Sequence, residues 1–121
     1  MVVILAAAGG SGRTLGRALA NELGWRFEDA RPPRNETDRD HWAAQLHGRV
    51  AAALDRREPL VVACPTLEAR HRDVLQGDLR QVRFVRLARN PAPERPFETV
   101  TIDETHDTNT MIAEIRREFG I

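Results

Sequence analysis

The stretch from Met1 to Gly24 restricts the fold of this chain more than any other. The apolar run Val2–Ala6 leads directly into A-A-G-G-S-G-R-T-L at residues 7–15. Leu15, Ala18, Leu19 and Leu23 then recur at helical spacing until Gly24 ends the series. A short run that is apolar throughout fits a strand buried on both faces, the habit of parallel strands covered by helices. It is too short for a membrane span and lacks the basic lead of a signal peptide, so neither is expected. A glycine turn between such a strand and a helix gathers backbone N–H groups at the positive end of the helix dipole, where anions bind. The general pattern G-x-x-x-x-G-K-[ST] uses that point to cradle phosphates, with the lysine on the terminal phosphates and the hydroxyl on Mg²⁺. Here Ala7 stands for the first glycine, Gly12 is the second, Arg13 is the cation and Thr14 the hydroxyl.

The remaining segments alternate in the same way. Residues 25–28 form a short second strand, and residues 29–36, with Pro32 and Pro33, a loop. Thr37 is the expected N-cap of a helix running to about Arg57, with Asp40 at its third position and Trp42, Leu46, Val50, Ala53 and Leu54 on its apolar face. Residues 60–64 are a third buried strand ended by Pro65, residues 66–75 a helix, and residues 82–87 a fourth strand. A proline-rich loop at 88–96 precedes a last strand at 97–102. Asp107 or Thr108 then caps a final helix through Met111, Ile112, Ile115 and Phe119, closed by Gly120. Five strands alternating with four helices in 121 residues give one α/β domain over 1–121, a parallel sheet covered on both faces. Right-handed crossovers put the first loop at the carboxyl edge of that sheet, where ligands bind in such folds.

Composition removes several chemistries. The 18 basic residues are all arginine, and the net charge is zero, so the chain carries no basic footprint for nucleic acid and no membrane-surface partner is expected. Without lysine there is no Schiff-base or lysine-base mechanism, and without tyrosine no phenolic acid. The single cysteine, Cys64, cannot form an internal disulfide; a reduced, cytoplasmic setting and a core role follow. His41, His47, His71 and His106 lack metal-ligand spacing and are expected to be surface or packing residues. Arg80, Arg83, Arg86 and Arg89 alternate with apolar residues, as on a solvated strand edge.

The chain reads A-A-G-G-S-G-R-T-L-G-R-A-L-A-N-E-L-G-W-R-F at 7–27, R-P-P-R-N at 31–35, T-D-R-D-H-W at 37–42, V-V-A-C-P-T-L-E-A-R-H-R-D-V-L at 61–75 and V-R-F-V-R-L at 82–87. In this order and spacing it resembles the gluconate kinase family of small P-loop kinases. That family typically carries G-x-S-G-S-G-K-S-T-[LV]-G-R-A-L-A-x-x-L-G-W-x-F, then H-P-P-x-N, [TS]-D-x-D-R-x-x-W-L and V-V-A-C-S-A-L-K-R-x-Y-R-D-x-L. The resemblance covers residues 1–87. Nucleotidyltransferases share L-A-A-G-G-S-G-R-x-[ML]-G, similar to residues 5–16, but are larger domains with a lysine-containing continuation. Short-chain dehydrogenases share a glycine loop but need a tyrosine and a lysine, and this chain has neither.

The kinase resemblance implies a three-layer α/β/α fold with sheet order 2-3-1-4-5. It also implies ATP and Mg²⁺ as cofactors, phosphoryl transfer to a sugar-acid hydroxyl, and a homodimer. Carried onto this sequence, it places phosphates at Gly9, Gly10, Ser11, Gly12, Arg13 and Thr14, with Thr14 also on the metal. Asp29 would orient the acceptor hydroxyl, and Arg70 and Arg72 would contact substrate. The departures fall on the catalytic side. The loop lysine is Arg13, the family's acidic residue after the second strand aligns near Arg31, and a K-R pair has become Glu68 and Ala69. The segment before T-D-x-D is deleted, and the arginine-bearing lid after the fourth strand is missing, with only residues 88–96 in its place. The alternative expectation is a catalytically dead pseudo-kinase serving as a binding or dimerisation module. A nucleotidyltransferase-like protein is the third.

Overall fold

All of residues 2–5 are apolar because the first strand is buried on both faces. The structure is a computed structural model that describes residues 1–7, 11–65, 69–88 and 99–121. In it β1 (Val2–Ala6) lies at the centre of a five-stranded parallel sheet. The others are β2 (Arg26–Asp29), β3 (Leu60–Cys64), β4 (Val82–Ala88) and β5 (Thr99–Asp103), in the order β2-β3-β1-β4-β5. Val2, Val3, Ile4 and Leu5 are all 0% exposed. Successive side chains alternate between faces, which divides the core in two. Val2, Ile4, Val62 and Phe84 pack with Trp42, Leu46, Val50 and Leu75, whereas Val3, Leu5, Val61 and Val85 pack with Leu15, Leu19, Ile112 and Ile115.

The helices follow from that division. α1 (Ser11–Leu23) and α4 (Thr108–Phe119) cover one face; α2 (Glu36–Asp55) and α3 (Ala69–Gln76) cover the other. The chain moves from β1 outward to β2 over the first face, then back through β3 to β4 over the second. Reversing direction and face together keeps one crossover hand, as parallel sheets require. Gly16 lets α1 approach the sheet, since a Cβ there would stand 2.6 Å from Phe27 Cε1. Among the described residues no helix is long and apolar enough to cross a membrane.

Several boundaries differ from the sequence expectation. α1 begins at Ser11, inside the glycine segment. α2 is capped by Asn35, not Thr37: the Asn35 side chain accepts from the Thr37 N–H at 2.9 Å with extended backbone. β4 is an interior strand paired to β1 and β5, so Arg83 and Arg86 do not sit on a sheet edge. Arg83 bends back instead, its Nη1 donating to the Arg80 carbonyl at 2.6 Å. Asp107 caps α4, and Gly120 closes it in the left-handed conformation. Ala88 belongs to β4; the rest of the expected 88–96 loop, where the lid would stand, lies outside the described residues, as do Gly9, Gly10 and Glu68.

Candidate functional site

β1 and β3 are neighbours, yet the helices that follow them leave to opposite faces. This is the switch point of an α/β sheet, and it opens a crevice at the carboxyl ends of the strands. Backbone bonds draw the surrounding segments together there. The Ala7 N–H donates to the Cys64 carbonyl at 3.1 Å, and the Ala30 N–H to the Ala63 carbonyl at 2.8 Å. A cavity of about 180 Å³ results, lined by Gly12 and Arg13 from α1, Asp29 at the end of β2 and residues 30–32 after it, and residues 63–65 at the end of β3. Gly12 suits this closeness, because a Cβ there would meet the Ala7 Cβ at 3.3 Å, tighter than an ordinary contact. The α1 N-terminus therefore sits directly against the end of β1, the context in which a glycine turn presents its amides to an anion.

The two residues expected to carry chemistry meet in this cavity. Arg13 Nε lies 2.9 Å from Asp29 Oδ2, and Arg31 Nε donates to the same oxygen at 3.2 Å. Two guanidinium groups on one carboxylate leave an excess of one positive charge. Among the described residues Asp29 Oδ1 and the Nη groups of both arginines have no further partner. A carboxylate oxygen beside two forked cations is equipped to hold a hydroxyl next to an anion.

Other expected residues are placed around this centre. Ser11 Oγ donates to Glu104 Oε2 at 3.2 Å, which ties the start of α1 to the end of β5 and sets an acidic group near the positive helix terminus. Thr14 is exposed on the first turn of α1. Arg70 and Arg72 lie on α3 and do not line the cavity; Arg70 Nη2 stands 3.7 Å from Asp40 Oδ1. His71, only 3% exposed, holds the same Asp40 oxygen through Nε2 at 3.0 Å, joining α3 to α2. Cys64 forms part of the cavity wall, and burial pushes its thiol up to about 12, so it is neutral there and not a nucleophile. Among the described residues no three His, Cys, Asp or Glu side chains are grouped to hold a metal ion.

Sequence reasoning missed Arg31 as a member of this site, treating it only as the mark of a lost acid. The available signal was its position two residues after Asp29, close enough to share that carboxylate. It also missed the pairing of Asp40 with His71. That contact joins two helices 31 residues apart and has no local pattern.

No protein-family profile matches the chain. It is 33% identical over 89 residues to a probable gluconokinase of Rattus norvegicus, a match taking in 61% of this chain and 48% of the relative. It is 26% identical over 100 residues to a gluconokinase of Gluconobacter oxydans, covering 71% and 56%. The chain thus spans about half the length of the curated relatives it matches. Among solved structures, an unliganded sugar kinase from Janibacter superposes with a TM-score of 0.83 at 20% identity, covering 99% of this chain and 94% of that one. A gluconokinase from Sinorhizobium meliloti gives 0.76 at 20% identity, covering 98% and 95%. A shikimate kinase from Aquifex aeolicus gives 0.69 at 11% identity, covering 99% and 96%. The chain is therefore gluconokinase-like in sequence, and its three-layer sheet of order 2-3-1-4-5 is the fold of the P-loop kinases.

Proposed function

We propose that this chain is a nucleotide-binding domain of the gluconokinase kind, with ATP as phosphoryl donor and a small sugar acid as acceptor. The observation that carries this reading is the meeting of Arg13 and Asp29 at 2.9 Å in the switch-point cavity, beside the N-terminus of α1. The loop residues Gly9 and Gly10, with Ser11 and Gly12, would present backbone amides to the phosphates, and the close approach at Gly12 suits that role. The Thr14 hydroxyl, exposed on the first turn, fits a Mg²⁺ carried in by the nucleotide. Such an ion supplies charge neutralisation on the phosphates.

The protein's own part is positioning. Arg13 keeps Nε on Asp29 and offers its Nη groups to the phosphoryl oxygens. Asp29 would accept a hydrogen bond from the acceptor hydroxyl at Oδ1 and take its proton as that oxygen bonds to the γ-phosphorus and the bond from phosphorus to the departing ADP breaks. Arg70 and Arg72 belong to the wider acceptor side. A homodimer is the assembly this reading carries with it.

A second reading has its own support. Because Asp29 neutralises the loop cation, the same geometry suits a binding or dimerisation module that has lost transfer chemistry. Thermal denaturation with Mg-ATP separates the cases. A ligand bound only by the native state at a hundred times its Kd stabilises it by about 2.7 kcal/mol. A rise in Tm with transfer to a sugar acid supports the kinase, and a rise without transfer supports the module. No rise at millimolar nucleotide removes the kinase reading and leaves the module.

A further inference from the structure

We propose that Arg31 is the specificity-determining residue of this site, reading the anionic group of a small hydroxy acid whose hydroxyl rests on Asp29 Oδ1. This deepens the acceptor side of the function proposed above and rests on it. Arg31 leaves the backbone from a fixed point, since its neighbour Ala30 is hydrogen-bonded to the end of β3 at 2.8 Å. Its Nε donates to Asp29 Oδ2 at 3.2 Å, which anchors the guanidinium at the cavity while its Nη groups have no partner among the described residues. Arg13 takes the same oxygen, so Asp29 is already neutralised on one side and the second cation is in excess.

A hydroxy acid carries a donor hydroxyl and a carboxylate a few bonds apart. Oδ1 accepts the first and the Arg31 fork binds the second, a charge-assisted and planar match. A neutral polyol of the same length satisfies only Asp29. Arg70 and Arg72 do not compete for this role at the cavity, because neither lines it. The Arg31 side chain is 70% exposed, so replacing it leaves the core untouched.

The test is calorimetric titration at low ionic strength, where such contacts are least screened. Gluconate and glycerate are each set beside the neutral polyols glucitol and glycerol, for the native protein, Arg31→Gln and Arg31→Lys. The native protein is expected to prefer at least one acid over its polyol. Arg31→Gln should weaken that acid by about tenfold or more and leave the polyol unchanged. Arg31→Lys, with charge but no fork, should fall between the two. Equal affinity for acid and polyol in the native protein, no binding of either acid, or an unchanged preference in Arg31→Gln would each overturn the assignment. Because no nucleotide is present, the Mg-ATP melt reports separately on the nucleotide half of the site.

Discussion

A lysine at position 13 would be a compact charge on a flexible stem. Arginine there is a planar fork, and Asp29 holds it by Nε. One carboxylate thus restrains both cations of the cavity, and its removal should have opposite effects on binding and on chemistry. With Asp29→Asn, Arg13 and Arg31 lose their counter-ion, and affinity for inorganic phosphate and for Mg-ATP is expected to rise a few-fold. That is the scale of partly exposed ion pairs worth about 0.2–1 kcal/mol each. Phosphoryl transfer, if present in the native chain, should fall by about a hundredfold or more, as for loss of a base. Titration of the two anions, run beside a transfer assay, checks both arms. Unchanged or weaker anion binding in the variant would show that Asp29 does not restrain the arginines. Arg13 and Asp29 were legible from sequence because a strand–glycine–helix motif fixes one and the end of a strand the other. Their direct contact was not, since it depends on where β2 lies in the sheet relative to α1.

At the scale of elements, type was legible and position less so. Strands buried on both faces, such as Leu60–Cys64, declare themselves by uninterrupted apolar residues. Helix starts do not, when several capping residues stand in a row. In N-E-T-D both Asn35 and Thr37 can cap, and the extended backbone at Asn35 decides between them. The arginines of β4 imitate an edge when that strand is read alone; its interior place follows only from the strand order, which the family resemblance carried and no single strand encodes. The cap of α4 makes a quantity measurable. The Thr110 backbone N–H donates to Asp107 Oδ1 at 2.7 Å, and that bond holds the Asp107 carboxyl below its ordinary 3.8. An acid whose folded pKa is lowered adds stability above the ordinary value and loses it as pH falls through the folded one. Asp107→Asn keeps a capping side chain without the charge. The native protein is therefore expected to melt higher than Asp107→Asn at about pH 6, and the gap should close as the pH is lowered toward about 3. Melting curves of the pair across that range give the answer, and a gap independent of pH would contradict the ionised cap.

At the scale of the molecule, the sheet separates two apolar layers, and Cys64 stands where one of them reaches the cavity. It is 6% exposed and is the sole thiol of the chain, so it reports on opening of the whole without any engineered probe. Burial raises its pKa to about 12, which suppresses the thiolate that disulfide reagents attack. In the native protein at about pH 8 the labelling should be far slower than for an unfolded thiol. Its rate should rise with denaturant in step with the loss of helical circular dichroism, because β3 lies inside the sheet between β2 and β1 and its thiol is exposed only when the sheet opens. A raised acid pKa also means that the folded chain holds a proton the unfolded chain gives up above about pH 9, so stability should decline through that alkaline range. A ligand seated in the cavity covers Cys64 as well as favouring the closed state, so a bound hydroxy acid should slow labelling beyond its effect on global stability. Rapid labelling under native conditions, insensitive to denaturant, would instead locate a local opening at the end of β3. The cavity could not then be a preformed site.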